Sequence, residues 1–96
     1  MEEVKKILED LLAEIERAQK LHPGYPSLHY YRGVIEEEFD EFWEEVKVNP
    51  KKLGIEQQIA RRRHLYKELL QMACTSIRCI AQCRLNDPDI DPGTIR

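Results

Sequence analysis

The chain has few of the residues that stiffen or cross-link small proteins. Among 96 residues there are four Gly, five Pro, one Trp and three Cys. The Cys count is odd, and Cys74, Cys79 and Cys83 all fall within ten residues of one another. Cys79 and Cys83, one helical turn apart, are poorly oriented to bond each other. Paired C-x2-C spacings and a fourth ligand for zinc are both missing. These thiols therefore read as small, reduced core residues. No apolar run approaches bilayer length, and Met1-Glu2-Glu3-Val4-Lys5-Lys6 lacks the make-up of a signal peptide, so a cytoplasmic location is expected. Positive charge is not in excess either. Fifteen Lys and Arg stand against 18 Asp and Glu, a net charge of −3, which argues against a general nucleic-acid binder or a binder of anionic membranes. Strand-like alternation, internal repeats and low-complexity tracts are also missing.

What remains is helical periodicity. A chain of this length forms one domain, and it buries only about 60–65% of its unfolded surface, so a core shared with a second copy is expected. Val4, Ile7, Leu8, Leu11, Leu12 and Ile15 repeat at three and four, marking an N-terminal helix over residues 1–22. Pro23, Gly24 and Pro26 stop it, and Ser27 is placed to cap the next. That acidic helix spans residues 27–48, ended by Asn49-Pro50. Residues 55–84 hold no Pro or Gly and form either one long helix or a short one followed by a longer one. There Leu65, Leu69, Met72, Ala73, Ser76, Ile80 and Cys83 share a face of small and medium residues suited to close helix packing. Residues 86–96 read as an irregular tail. The expected architecture is an all-α antiparallel bundle of three to four helices, completed by dimerisation into a homodimer or homotetramer.

The acidic helix carries the chemistry. Glu36 to Glu45 packs seven carboxylates into ten residues, and no base lies between Arg32 and Lys47. Leu28, Tyr31, Ile35, Phe39, Phe42 and Val46 form its apolar stripe, and Glu38, Glu41 and Glu45 form a row along one margin. Glu37 lies beside Glu41. Like charges three and four apart repel by a few tenths of a kcal/mol per pair. A row of acids without internal counter-ions suggests an external one, and a divalent cation is the simplest. Opposite it, His64, Glu68, Gln71, Thr75 and Gln82 line one flank of the following helix. Antiparallel packing would turn Glu38 and Glu41 toward Glu68, which is how helical bundles hold hard cations such as Mg²⁺.

On these residues the chain resembles the MazG-like nucleotide pyrophosphohydrolases of the all-α NTP pyrophosphatase superfamily. Their motif E-E-x-x-E is matched by Glu37-Glu38-Phe39-Asp40-Glu41. Their second motif, E-x-x-D, corresponds to Glu68-Leu69-Leu70-Gln71, where Gln71 stands in place of Asp. The likeness runs from about Tyr25 to Cys83. It implies that Glu38, Glu41 and Glu68 ligate Mg²⁺ (or Mn²⁺), with Gln71 at the fourth position offering only an amide oxygen. Glu37 would sit beside them to hold a water or a second ion, so that Glu37, Glu38 and Glu41 make the catalytic set. The implied reaction takes a nucleoside triphosphate and water to the monophosphate and pyrophosphate, in the service of removing non-standard nucleotides.

Other residues are candidates for substrate contact. Arg61, Arg62 and Arg63 precede Glu68, and one or two of them would meet the triphosphate through the bidentate guanidinium fork, with Lys52 a weaker version of the idea. Their bland alternative is exposed charge paired with neighbouring acids. Tyr30 and Trp43 would stack on the base, or else serve packing or a dimer interface. A rival function keeps the fold and drops the chemistry. The chain would then be a catalytically silent helical module that binds a nucleotide or a protein, with Gln71 marking a degenerate metal site.

Overall fold

The computed structural model describes residues 1–95 and is helical as the periodicity requires. Helix α1 spans Glu2–Leu21, α2 spans Leu28–Val46 and α3 spans Ile55–Asn86, with short 3₁₀ turns at Pro50–Lys52 and Pro92–Thr94. No strand occurs among the described residues, and no helix in them is long and apolar enough to cross a membrane.

Local chemistry sets the boundaries. Ser27 caps α2, its hydroxyl accepting from the Tyr30 N–H, and this satisfies one of the donors a helix start leaves unpaired. The acidic helix closes at Val46, two residues earlier than expected. Asn49 caps the following 3₁₀ turn instead, its side chain accepting from the Lys51 N–H with Pro50 in the first position. At α3 the Gln57 side chain accepts from the Gly54 N–H. The segment is one uninterrupted helix of 32 residues that runs to Asn86, just before Asp87-Pro88. At 1.5 Å per residue it measures about 48 Å, nearly the 51 Å long dimension of the molecule.

Helix α3 is therefore the spine, with α2 packed along it extensively and α1 less so. Cross-helix pairs give the directions. Glu45 meets Arg61 and His64, whereas Glu38 lies by Thr75, so α2 and α3 are antiparallel. Asp10 meets Tyr66, and Gln19 meets Arg78, so α1 runs parallel to α3. The core is thin. Among the described residues only Leu11, Tyr31 and Cys74 are buried apolar residues, and no side chain is completely enclosed. Tyr25, from the α1–α2 loop, stacks on Tyr30 and meets Tyr31 edge-on, both at 4.9 Å. The three cysteines are free, Cys74 buried and the others half-buried, and burial pushes the Cys74 and Cys79 thiols above their ordinary pKa.

Candidate active site

Antiparallel packing of α2 on α3 brings Glu38, Glu41 and Glu68 to one seam. Glu38 is half-buried, and its Oε1 is sealed from solvent without a hydrogen-bond partner. Burial raises its pKa first, and the charges of Glu41, Glu68 and Glu37 raise it further against the opposing pull of Thr75. Glu41 is exposed but lies against Glu68. That contact, followed by burial and the charge of Glu68, raises the Glu41 pKa against the nearby His64. Glu68 is itself buried. His64 reaches both rows, with Nδ1 3.4 Å from Glu45 and Nε2 3.7 Å from Glu68.

The donor set is all carboxylate oxygen, one member has an orphaned buried atom, and the charges repel. Each of these properties fits a hard divalent cation. Among the described residues no three His, Cys, Asp or Glu side chains yet close into a metal-binding cluster; the carboxylates line the seam without enclosing a point.

Beside the seam lies a cavity of about 400 Å³ walled by all three helices. Glu37, Glu38 and Glu41 enter it from α2, Gln71 and Thr75 from α3, and Glu14 and Arg17 from α1. Here Gln71 has a partner on α1. Its Nε2 donates to Glu14 Oε1 at 3.2 Å, so the amide ties α3 to α1. The further carboxylate at this cavity is Glu14, which ion-pairs with Arg17. The hydrogen bond from Arg17 holds the Glu14 carboxyl below its ordinary value. An Asp at position 71 would meet Glu14 as a second negative charge and lose a donor. We therefore expect Gln71→Asp to lower the melting temperature of the metal-free protein, by about 1–2 kcal/mol of stability. Recovery in Mg²⁺ titrations would show that position 71 reaches the cation. An unchanged melting temperature in chelator would contradict the Gln71–Glu14 contact.

The basic residues expected to meet phosphate are elsewhere. Arg61 is half-buried and spends its guanidinium on the C-terminus of α2, donating from Nε to the Glu45 carbonyl at 3.2 Å and from Nη2 to that of Val46 at 3.3 Å. The last carbonyls of a helix have no partner within it, and a nearby arginine fills that need. Arg62, Arg63 and Lys52 are exposed, and none of these four residues lines the cavity. The cavity's own cations are Arg17 and Arg78. Arg78 is buried, donates from Nε to Gln19 Oε1 at 3.2 Å and from Nη2 to the His22 carbonyl, and lies 5.4 Å from the centre of the Tyr25 ring. Among the described residues no carboxylate pairs with it.

The aromatic candidates are displaced likewise. Neither Tyr30 nor Trp43 lines the cavity, and both are about half exposed; Tyr25 lines it instead. No sequence signal singles out Tyr25 or Arg78. Each earns its place through contacts between segments more than fifty positions apart. Comparison with protein-family models, with curated proteins and with solved structures finds no match to this chain.

Proposed function

We propose that this chain is a Mg²⁺-dependent nucleoside triphosphate pyrophosphohydrolase, converting an NTP or dNTP and water to the monophosphate and pyrophosphate. In this reading it works in the cytoplasm as a homodimer or homotetramer and removes non-standard nucleotides. One observation carries the proposal: the half-buried Glu38 carboxylate, with one oxygen lacking a partner, lies beside Glu41 and Glu68 and lines a cavity sized for a small ligand. Glu38, Glu41 and Glu68 would hold Mg²⁺, with Mn²⁺ acceptable to the same oxygens. The ion would neutralise phosphate charge and make a water more acidic. Glu37, exposed on the cavity wall, would take the proton of the attacking water as the water oxygen bonds to the α-phosphorus. The α–β bridging bond breaks and pyrophosphate departs. Arg78, and Arg17 at the far wall, receive phosphate oxygens in place of Arg61, Arg62, Arg63 and Lys52.

A second reading has its own observation in favour. The Gln71 amide is committed to Glu14, as expected of a helical module that binds a nucleotide or protein without turnover. A panel of canonical and modified nucleoside triphosphates, assayed for pyrophosphate with Mg²⁺, separates the two. We expect release from at least one member and loss of about 10²-fold or more in Glu38→Gln and in Glu41→Gln. Silence across the panel, with a nucleotide still raising the melting temperature, would establish the binding module.

A further inference from the structure

Three helices leave too much of this molecule uncovered. The accessible surface is 7830 Å², against about 5,800 Å² for a folded monomer of this mass, an excess of roughly 2,000 Å². The radius of gyration is 16.1 Å, where about 12.5 Å suits a compact chain of this length. The surplus includes a continuous apolar face. Leu65, Leu69, Met72, Ser76, Ile80 and Cys83 wind onto one side of α3, yet Leu69 is 48% and Ile80 57% exposed. No charged residue falls on that side between Leu65 and Cys83. Two grooves flank it, one of about 550 Å³ where Phe39 of α2 faces Met72 and where Arg32 and Glu36, of opposite charge, also line the wall, and an apolar one of about 200 Å³ where Ile7 of α1 faces Leu69.

We propose that this face of α3 is where a second copy of the chain docks, α3 against α3 across a twofold axis near Ser76. The surplus area matches what an obligate homodimer buries, about 2,000–5,000 Å² in total. A face without charge is self-complementary, so an isologous contact brings no like charges together. Small side chains at its centre permit the 8–10 Å helix separation of close packing. A core of three buried apolar side chains gains from the second copy what one copy lacks. The site and the interface are separate, since Gln71, Thr75 and Arg78 line the cavity from the opposite side of α3. The dimer therefore stands or falls independently of the proposed activity.

Sedimentation of the full chain at micromolar concentration should give twice the 11.4 kDa chain mass. Leu69→Glu and Ile80→Glu should each weaken association at least about tenfold by burying an unpaired charge. Leu85→Glu, on the far side of α3, should leave association unchanged. The unmodified chain offers a second measurement that is insensitive to variants that fail to fold. Alkylation of Cys83, read by mass spectrometry, should accelerate as the protein is diluted through the dissociation range. A wild-type monomer at all concentrations, an association indifferent to Leu69→Glu and Ile80→Glu, or a Cys83 rate independent of concentration would each overturn the proposal.

Discussion

Glu38→Gln is expected to stabilise the metal-free protein while abolishing its response to Mg²⁺. Without a cation, Glu38 Oε1 lacks a hydrogen-bond partner, and its charge faces Glu41, Glu68 and Glu37. Leaving a buried acceptor unsatisfied costs about 1–3 kcal/mol, and for a half-buried group we take about 1 kcal/mol, or roughly 4–8 °C in melting temperature for a domain of this size. The amide removes the charge and brings a donor that a neighbouring carboxylate can accept. With Mg²⁺ at a hundred times its dissociation constant, the wild type would gain about 2.7 kcal/mol, and the variant little of it. The two proteins would therefore exchange rank between chelator and Mg²⁺. Identical melting in chelator together with identical Mg²⁺ shifts would remove Glu38 from any metal site.

The same groups set a pH dependence whose sign can be worked out. Glu38 and Glu41 have folded pKa values above the ordinary 4.5. Over the interval from 4.5 up to those values the native state holds more protons than the unfolded state. These two groups therefore make stability fall as pH rises through that interval, and their penalty is fully relieved only below it. Glu14 and Asp10 act oppositely. Glu14 is depressed below 4.5 by Arg17, and Asp10 below 3.8 by Tyr66 and then Lys6. Their contribution is present above those ordinary values and is lost as pH falls through the lower folded ones. Thermal melts of the metal-free protein should consequently show greatest stability in mild acid. Glu38→Gln should flatten the upper limb and leave the lower one intact.

Arg78→Met is expected to be the most damaging single change in the fold. The guanidinium holds the end of α1 through Gln19 and the His22 carbonyl, and lies over Tyr25. Hydrogen bonds made by charged groups are worth about 1.5–3 kcal/mol each, so a loss near 3 kcal/mol and more than about 10 °C in melting temperature is expected. Amide exchange should locate the damage, with protection lost first in the last turn of α1 and retained in α2. Arg61→Met removes a comparable clamp from the end of α2, but at a less buried site, and should cost about half as much. A melting curve for Arg78→Met within 1–2 °C of wild type would show the contacts to be incidental.

Much of this molecule is written locally. The periodicities of Val4 to Ile15 and of Leu28 to Val46, the Ser27 cap, and the Pro and Gly breaks all act within a turn or two of chain. The helix limits they imply agree with the structure to within two residues. That Glu38, Glu41 and Glu68 lie along one seam was legible for a related reason. A short connection forces α2 and α3 antiparallel, and acids at three- and four-residue spacing then face whatever lies at matching height. Helix α1 is different, because its apolar spacing specifies an apolar face, of which only Leu11 is buried, but not its axial offset along α3. That offset pairs Gln71 with Glu14 and Arg78 with Gln19, 57 and 59 positions apart. It also makes a cavity wall of Glu14 and Arg17.

By itself, then, the sequence determined an all-helical chain, the order of its segments and the acidic row, since these follow from backbone propensity and side-chain period; that Ile55–Asn86 is one helix was decided by the fold. Only the tertiary structure decided that Arg61 caps a helix while Arg78 and Tyr25 border the cavity. A side chain's role in a bundle depends on helix rotation and offset, and those are settled by packing the whole chain at once.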